Sequence, residues 1–122
     1  MDSPKSSGTI LVVEDDEVTR FFIRQVLEES GFVVLEAMNG GEAIRLAEKH
    51  LVIIDLIICD VVLPDTIGTL VVKRLTVLKP KLKVIFVSGS SDVSTFGLTA
   101  NYLGKPFSAP ELVQKVQEVL GD

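Results

Sequence analysis

The chain has 122 residues, a net charge of −5, a single cysteine and 47% apolar residues. This length fits one domain with a core that needs no metal or disulfide, and one cysteine excludes an internal disulfide. The acidic balance argues against direct nucleic-acid binding, and no apolar run is long enough for membrane insertion. Because the first residues lack the apolar centre of a signal peptide, we expect a cytoplasmic location.

The N-terminal half alternates between strand and helix patterns. Apolar residues at three- and four-residue steps predict a first helix from Val18 that buries Val18, Phe21, Phe22 and Val26. Asn39, Gly40 and Gly41 are typical of a turn before the second helix. The predicted elements of this half are a flexible lead at 1–8, strands at 9–13, 32–37 and 55–59, and helices at 18–30 and 42–49.

The C-terminal half continues the alternation. Leu70, Val71, Leu75 and Leu78 have the spacing of a helix core face, and Ser108 with Glu111 is a capping box for the last helix. The predicted elements of this half are helices at 68–78, 92–98 and 109–120, and strands at 83–87 and 101–103. The helix at 92–98 is short and poor in helix-forming residues.

Five alternating βα units predict a doubly wound α/β fold. Such a chain forms a parallel sheet with helices on both faces, joined by right-handed crossovers. We find neither repeats nor an internal linker, so we expect one domain at 9–122 after the lead at 1–8.

Asp60 is the first candidate functional residue. It ends a continuous apolar run, which is typical of a strand buried on both faces, and Pro64 prevents further strand pairing. Open α/β sheets bind ligands at the carboxyl ends of their strands. A buried carboxylate needs water, a metal or a cation beside it. The alternative is a solvated loop aspartate that caps the next helix.

Residues after the other strands strengthen the functional interpretation. In a parallel sheet, Glu14, Asp15, Asp60, Ser88 and Lys105 collect at one edge. Three carboxylates repel one another unless a cation lies between them, and oxygen ligands suit Mg²⁺. A hydroxyl and an ammonium group are the donors that a phosphoryl group would need. Each residue also has an ordinary interpretation when it is taken alone. Glu14 and Asp15 could cap a helix, Ser88 could be a turn serine, and Lys105 could be a solvated charge.

Four motifs in order resemble the receiver domain of response regulators, the phospho-accepting module of two-component signalling. They are Ile10-Leu-Val-Val-Glu-Asp-Asp, Ile58-Cys-Asp-Val-Val-Leu-Pro-Asp-Thr-Ile-Gly, Val87-Ser-Gly and Tyr102-Leu-Gly-Lys-Pro-Phe. The resemblance covers the chain from about Thr9 to its end. It implies a flavodoxin-like sheet of order 2-1-3-4-5 with the ligand crevice where the strand order reverses.

The resemblance also implies roles for single residues. Asp60 would accept a phosphoryl group from a histidine kinase or a phosphotransfer protein, and a downstream protein or output domain would respond. The protein would be a signalling phospho-acceptor rather than an enzyme acting on other substrates. The implied residues are Glu14, Asp15, Asp60 and the Val62 backbone carbonyl for Mg²⁺ (or Mn²⁺), Ser88 and Lys105 for the phosphoryl group, Ser88 and Tyr102 for the switch, and Pro106 (commonly after a cis bond) and Gly68 as structural residues.

The sequence also departs from the family pattern and leaves alternatives open. Ser88 lies only 17 positions before Lys105, which implies a shortened fourth helix and suggests output through another face, such as the first helix. A pseudo-receiver that only binds proteins is the main alternative. A phosphatase of the haloacid-dehalogenase type would need an aspartate where Val62 stands. A flavodoxin fails because carboxylates after the first strand would repel a flavin phosphate.

Overall fold

A computed structural model describes residues 8–89 and 101–121 of the chain. The predicted helix at 92–98 and the predicted lead, except Gly8, lie outside these residues. The described elements are β1 (Thr9–Val13), α1 (Glu17–Glu29), β2 (Val33–Ala37), α2 (Gly40–His50), β3 (Ile54–Asp60), α3 (Gly68–Leu78), β4 (Lys83–Ser88), β5 (Asn101–Gly104) and α4 (Ala109–Leu120).

The five strands form one parallel sheet in the order β2-β1-β3-β4-β5, which confirms the predicted topology. Strands β1 and β3 lie inside the sheet and are apolar almost throughout because helices cover both faces. Val13 of β1 is in register with Cys59 of β3, and Asp60 is in register with Val87 of β4. The carboxyl ends of these three strands therefore lie side by side.

The core has one layer on each side of the sheet, as the doubly wound fold requires. Helices α1 and α4 pack on one face, where Leu27 and Leu112 are fully buried. Helices α2 and α3 pack on the other face, where Ala43 and Leu75 are fully buried. None of the helices within 8–89 and 101–121 is long and apolar enough to cross a membrane.

The predicted buried faces of α1 and α3 are partly wrong. Val18, Phe21 and Phe22 are 77%, 57% and 37% exposed, and α1 buries Ile23, Val26 and Leu27. Likewise Leu70 and Leu78 are exposed, and α3 buries Val71, Val72 and Leu75. Both helices carry more apolar residues than one face can bury, and spacing alone does not determine which stripe meets the sheet.

The predicted turn at Asn39–Gly41 is also wrong in part, because Gly40 and Gly41 are the first residues of α2. The Asn39 side chain accepts a hydrogen bond from the backbone N–H of Glu42 (2.8 Å) and so caps the helix. Asp65, a residue of another loop, accepts from the N–H groups of both glycines. This distant partner explains why local sequence placed the helix start two residues too late.

The predicted features near the last helix are confirmed. Ser108 and Glu111 form the capping box, with hydrogen bonds of 3.2 Å and 2.8 Å in the two directions. Gly121 ends α4 in the left-handed conformation (φ 84°). The Lys105–Pro106 peptide bond is cis, as the resemblance implied.

Lys79 binds three carbonyl groups of the segment 51–54 at the amino edge of the sheet. Its Nζ donates to the carbonyl oxygens of Leu51 (2.9 Å), Val52 (3.3 Å) and Ile54. We expect Lys79→Met to lower the free energy of unfolding by about 2 kcal/mol, because hydrogen bonds from a charged donor are lost. Urea unfolding measures this change. Lys73→Met, at an exposed position of α3, is the matched control, and equal midpoints for both variants would contradict the expectation.

Candidate functional site

Three carboxylates meet at the carboxyl edge of the sheet. Asp60 ends β3 and is 6% exposed, while Glu14 follows β1 and is 1% exposed. Asp15 is exposed, and Asp16 caps α1 through the backbone N–H of Thr19 (2.9 Å). Glu14, Asp15 and Asp60 each offer an oxygen within 4.8 Å of the others, so the predicted acidic cluster forms.

Lys105 lies between the two buried carboxylates. Its Nζ donates to Asp60 Oδ2 at 2.7 Å and lies 2.6 Å from Glu14 Oε1. Its backbone N–H donates to the carbonyl oxygen of Ser88 (2.8 Å), which holds the lysine beside the end of β4. The ammonium group is therefore a fixed component of the site rather than a solvated charge.

The electrostatics of the site follow from burial and from this ion pair. Burial raises the pKa of Glu14 from 4.5 to about 7, although Lys105 acts to lower it. Burial alone would lower the pKa of Lys105, but its contacts with Asp60 and Glu14 outweigh that effect and raise it. One ammonium group thus pairs with two buried carboxylates, and the site retains an excess of negative charge.

The residues present fit a hard divalent cation. Glu14 Oε1 is buried and, apart from the ion pair, has no hydrogen-bond partner among the described residues. The exposed Asp15 supplies a further oxygen to the same cluster. Carboxylate oxygens together with water are the ligands that Mg²⁺ prefers. The acidic cluster is therefore chemically suited to the predicted metal.

The β3–α3 loop, residues 61–67, folds back over the end of β3. The backbone N–H of Val62 donates to Asp60 Oδ1 at 3.0 Å, so both oxygens of Asp60 have a donor. Val62 and Ile67 form an antiparallel bridge whose hydrogen bonds run between Leu63 and Thr66 and between Gly68 and Val61. The Val62 carbonyl takes no part in these two bonds.

Gly68 begins α3 directly against the backbone of Asp60. A Cβ atom at this position would overlap the Asp60 carbonyl oxygen and lie 3.0 Å from Cys59 Sγ. Only a residue without a side chain lets α3 start this close to the acidic strand end. The structural role predicted for Gly68 thus has a steric basis.

The side chain of Tyr102 contacts the backbone of Ser88. Ser88 is 3% exposed at the end of β4, next to the Asp60–Val87 pair. The Tyr102 hydroxyl donates to the Ser88 carbonyl oxygen at 3.4 Å, and its ring packs against the core on the α2–α3 face. The two predicted switch residues are therefore in direct contact.

The whole arrangement matches a known family. The response regulator receiver domain family matches residues 10–117. The chain belongs to this family. The receiver is 35% identical over 119 residues to the sensor kinase CckA of Brucella abortus, and 33% identical over 117 residues to its response regulator receiver protein CpdR. A crystal structure of the receiver domain of the hybrid histidine kinase CckA covers 93% of this chain and 99% of that chain, with 33% identity and a TM-score of 0.82.

The two curated relatives differ greatly in length. The alignment with CckA covers 93% of this chain but only 13% of CckA. The alignment with CpdR covers 91% of this chain and 95% of CpdR. The same fold thus occurs within a much longer kinase and in a protein of similar size. The matches establish this chain as a receiver domain of two-component systems.

Two residues that tie together elements around the receiver site were missed in the sequence. Arg20 of α1 donates through Nη1 to the Glu14 carbonyl oxygen (2.8 Å) and pairs through Nε with Glu36 of β2 (3.3 Å). Asp65 holds the first two residues of α2. Both act on residues of other elements, so no local motif indicated them.

Two apolar residues of α1 that do not face the core border the receiver site. Val18 and Phe22 line an open groove of about 350 Å³ together with Pro106 and Phe107, and Lys105 lies at its wall. The rings of Phe22 and Phe107 are 6.1 Å apart. An exposed apolar surface thus reaches the ammonium group that contacts Asp60.

Proposed function

We propose that Asp60 of this receiver accepts a phosphoryl group from the phosphohistidine of a histidine kinase or a phosphotransfer protein in the cytoplasm. The observation that carries this proposal is the contact of the buried Asp60 Oδ2 with Lys105 in an acidic cluster. The cation would be Mg²⁺, or Mn²⁺, held by Glu14, Asp15, Asp60 and the backbone carbonyl of Val62. The intact set of residues favours this function over that of a pseudo-receiver.

The chain's own residues prepare Asp60 for attack. Val62 and Lys105 hold its two oxygens at 3.0 Å and 2.7 Å, which orients the carboxylate. In the transfer, a carboxylate oxygen forms a bond to phosphorus while the bond from phosphorus to the histidine nitrogen breaks, which leaves an acyl phosphate. Lys105 remains beside the phosphoryl oxygens and offsets their charge. A bound Mg²⁺ would supply further neutralisation of those oxygens.

We propose that the phosphodonor and the output partner bind to surfaces near Asp60. The groove beside Val18 and Phe22 adjoins Lys105, which supports docking of the donor protein over α1. Ser88 would bind the phosphoryl group, and its contact with Tyr102 would transmit the change to a downstream protein or output domain. Pro106, which follows Lys105 in the chain, lines the same groove.

Intact mass spectrometry after incubation with acetyl phosphate tests the proposal. We expect one added phosphoryl group in the wild type with Mg²⁺, none without a divalent cation, and none in Asp60→Asn. Asp55→Asn is the matched control because Asp55 lies on the same strand and contacts the Thr9 N–H at the opposite edge. An adduct that persists in Asp60→Asn, or no adduct in the wild type with Mg²⁺, would contradict the proposal.

A further inference from the structure

The start of α2 is tied to the loop that follows Asp60. The backbone N–H groups of Gly40 and Gly41 donate to the two carboxylate oxygens of Asp65, at 2.8 Å and 2.9 Å. The next N–H, of Glu42, donates to Asn39 within the same segment. The helix dipole adds to the attraction for a carboxylate at this end. We call the Asp65–Gly40–Gly41 contact the clasp.

The clasp holds the tip of a loop whose base is already fixed. At the base, the Gly68 N–H donates to the Val61 carbonyl oxygen at 2.7 Å. At the tip, Asp65 is held by a helix 25 positions earlier in the chain. Val62 lies between the two anchors, and its own N–H holds Asp60 Oδ1. The loop is thus held at its base and at its tip, with Val62 in contact with Asp60 between them.

The clasp depends on a close approach of the loop to the helix, and this approach requires a glycine at only one of the two positions. A Cβ at Gly40 would lie 2.5 Å from Thr66 Cγ2 and 3.1 Å from Val71 Cγ2. A Cβ at Gly41 would have its nearest neighbour at 3.5 Å, which is ordinary van der Waals contact. Gly40 therefore permits the loop to reach the helix, whereas Gly41 has room for a methyl group.

We propose that Asp65 is a positioning residue for the cation and phosphoryl site, acting through the clasp on Val62 and thereby on Asp60. The inference rests on the proposed function, because it concerns the cation site that phosphoryl transfer would use. Groups that orient metal ligands from outside typically change metal affinity by tenfold or more when removed. The loop is the connection between the helix start and the proposed Val62 ligand.

Five variants separate this role from general stability and from charge. Asp65→Ala removes the clasp, and Asp65→Asn keeps one acceptor oxygen should the alanine variant fold poorly. Gly40→Ala retains every charge but displaces the loop, and Gly41→Ala is its matched control. Asn39→Ala weakens the same helix start without touching the loop. Mg²⁺ affinity by calorimetric titration and amide hydrogen exchange at Leu63 and Gly68 without metal are measured for each.

We expect Asp65→Ala and Gly40→Ala to lower the Mg²⁺ affinity about tenfold and to speed exchange at Leu63 and Gly68. Gly41→Ala and Asn39→Ala should stay within about twofold of the wild type in affinity. Unchanged affinity in Asp65→Ala, or an equal loss in Asn39→Ala, would overturn the inference.

Failure of the proposed function has a different signature. A wild type that binds no Mg²⁺ and gains no phosphoryl group would refute the function, whatever the variants do. The exchange measurement on metal-free protein still decides whether the clasp holds the loop. Exchange at Leu63 and Gly68 that is equally slow in Asp65→Ala and Asn39→Ala would then overturn the positioning role by itself.

Discussion

Gly68→Ala is expected to lower the free energy of unfolding by about 3 kcal/mol, at the upper end of overpacking effects. The added methyl group would overlap the Asp60 carbonyl oxygen and press on Cys59 Sγ. Alanine favours helix over glycine by about 1 kcal/mol, so an unhindered site would show the opposite sign. Because backbone atoms rather than a flexible side chain block the methyl group, the steric term outweighs helix propensity. Thermal and urea unfolding measure the loss.

The position next to Ser88 provides the control for Gly68. No atom of residues 8–89 or 101–121 lies within 4 Å of a Cβ at Gly89, so Gly89→Ala makes the same change at the same edge of the sheet without a clash with these residues. We expect Gly89→Ala to stay within about 0.5 kcal/mol of the wild type. A melting temperature of Gly68→Ala equal to that of Gly89→Ala would show that α3 moves away from Asp60 at little cost.

Lys105→Met is expected to lower the free energy of unfolding by about 2 kcal/mol at pH 8 in the absence of divalent cations. Breaking a buried ion pair typically costs 3–5 kcal/mol, and we reduce this to about 2 because the Lys105 side chain is 23% exposed. The variant leaves Glu14 and Asp60 buried without their cation. Excess Mg²⁺ should restore much of the lost stability if the cluster binds it, because ligand binding favours the folded state.

The effect of Lys105→Met should depend on pH in a defined direction. The pKa of Glu14 is raised on folding from 4.5 to about 7 by burial, so the folded state holds this proton more tightly than the unfolded state. The contribution of Glu14 to the free energy of unfolding is fully present below pH 4.5 and is lost as the pH rises through about 7. Without Lys105 the pKa rises further, so the loss extends to higher pH. The difference from wild type should therefore be larger at pH 8 than at pH 5.

Lys115 of α4 supplies the control for Lys105. Its side chain is similarly exposed, at 27%, but it pairs with the exposed Glu118 at 3.6 Å. Lys115→Met should change stability by less than about 0.5 kcal/mol at either pH, as is usual for surface pairs. Equal effects of the two substitutions, or a Lys105→Met effect that grows toward low pH, would contradict the assigned electrostatics.

The sequence predicted the parts of the site that depend on strand ends. Continuous apolar runs indicated β1 and β3, and parallel strands bring their carboxyl ends to one edge. The positions of Glu14, Asp60 and Lys105 at that edge followed from the order of elements alone. The functional roles of these residues stay predictions until phosphorylation is measured. The structure adds that Lys105 contacts both carboxylates.

What the sequence by itself determined was the order and type of the elements, because near neighbours control strand and helix formation. Tertiary packing decided which side of α1 faces the core, leaving Val18 and Phe21 exposed. It also decided the clasp on Asp65, whose partners lie 24 and 25 positions earlier, and the pairing of Asp60 with a lysine 45 positions later. Such contacts depend on how crossovers stack the elements, and no local pattern encodes that stacking.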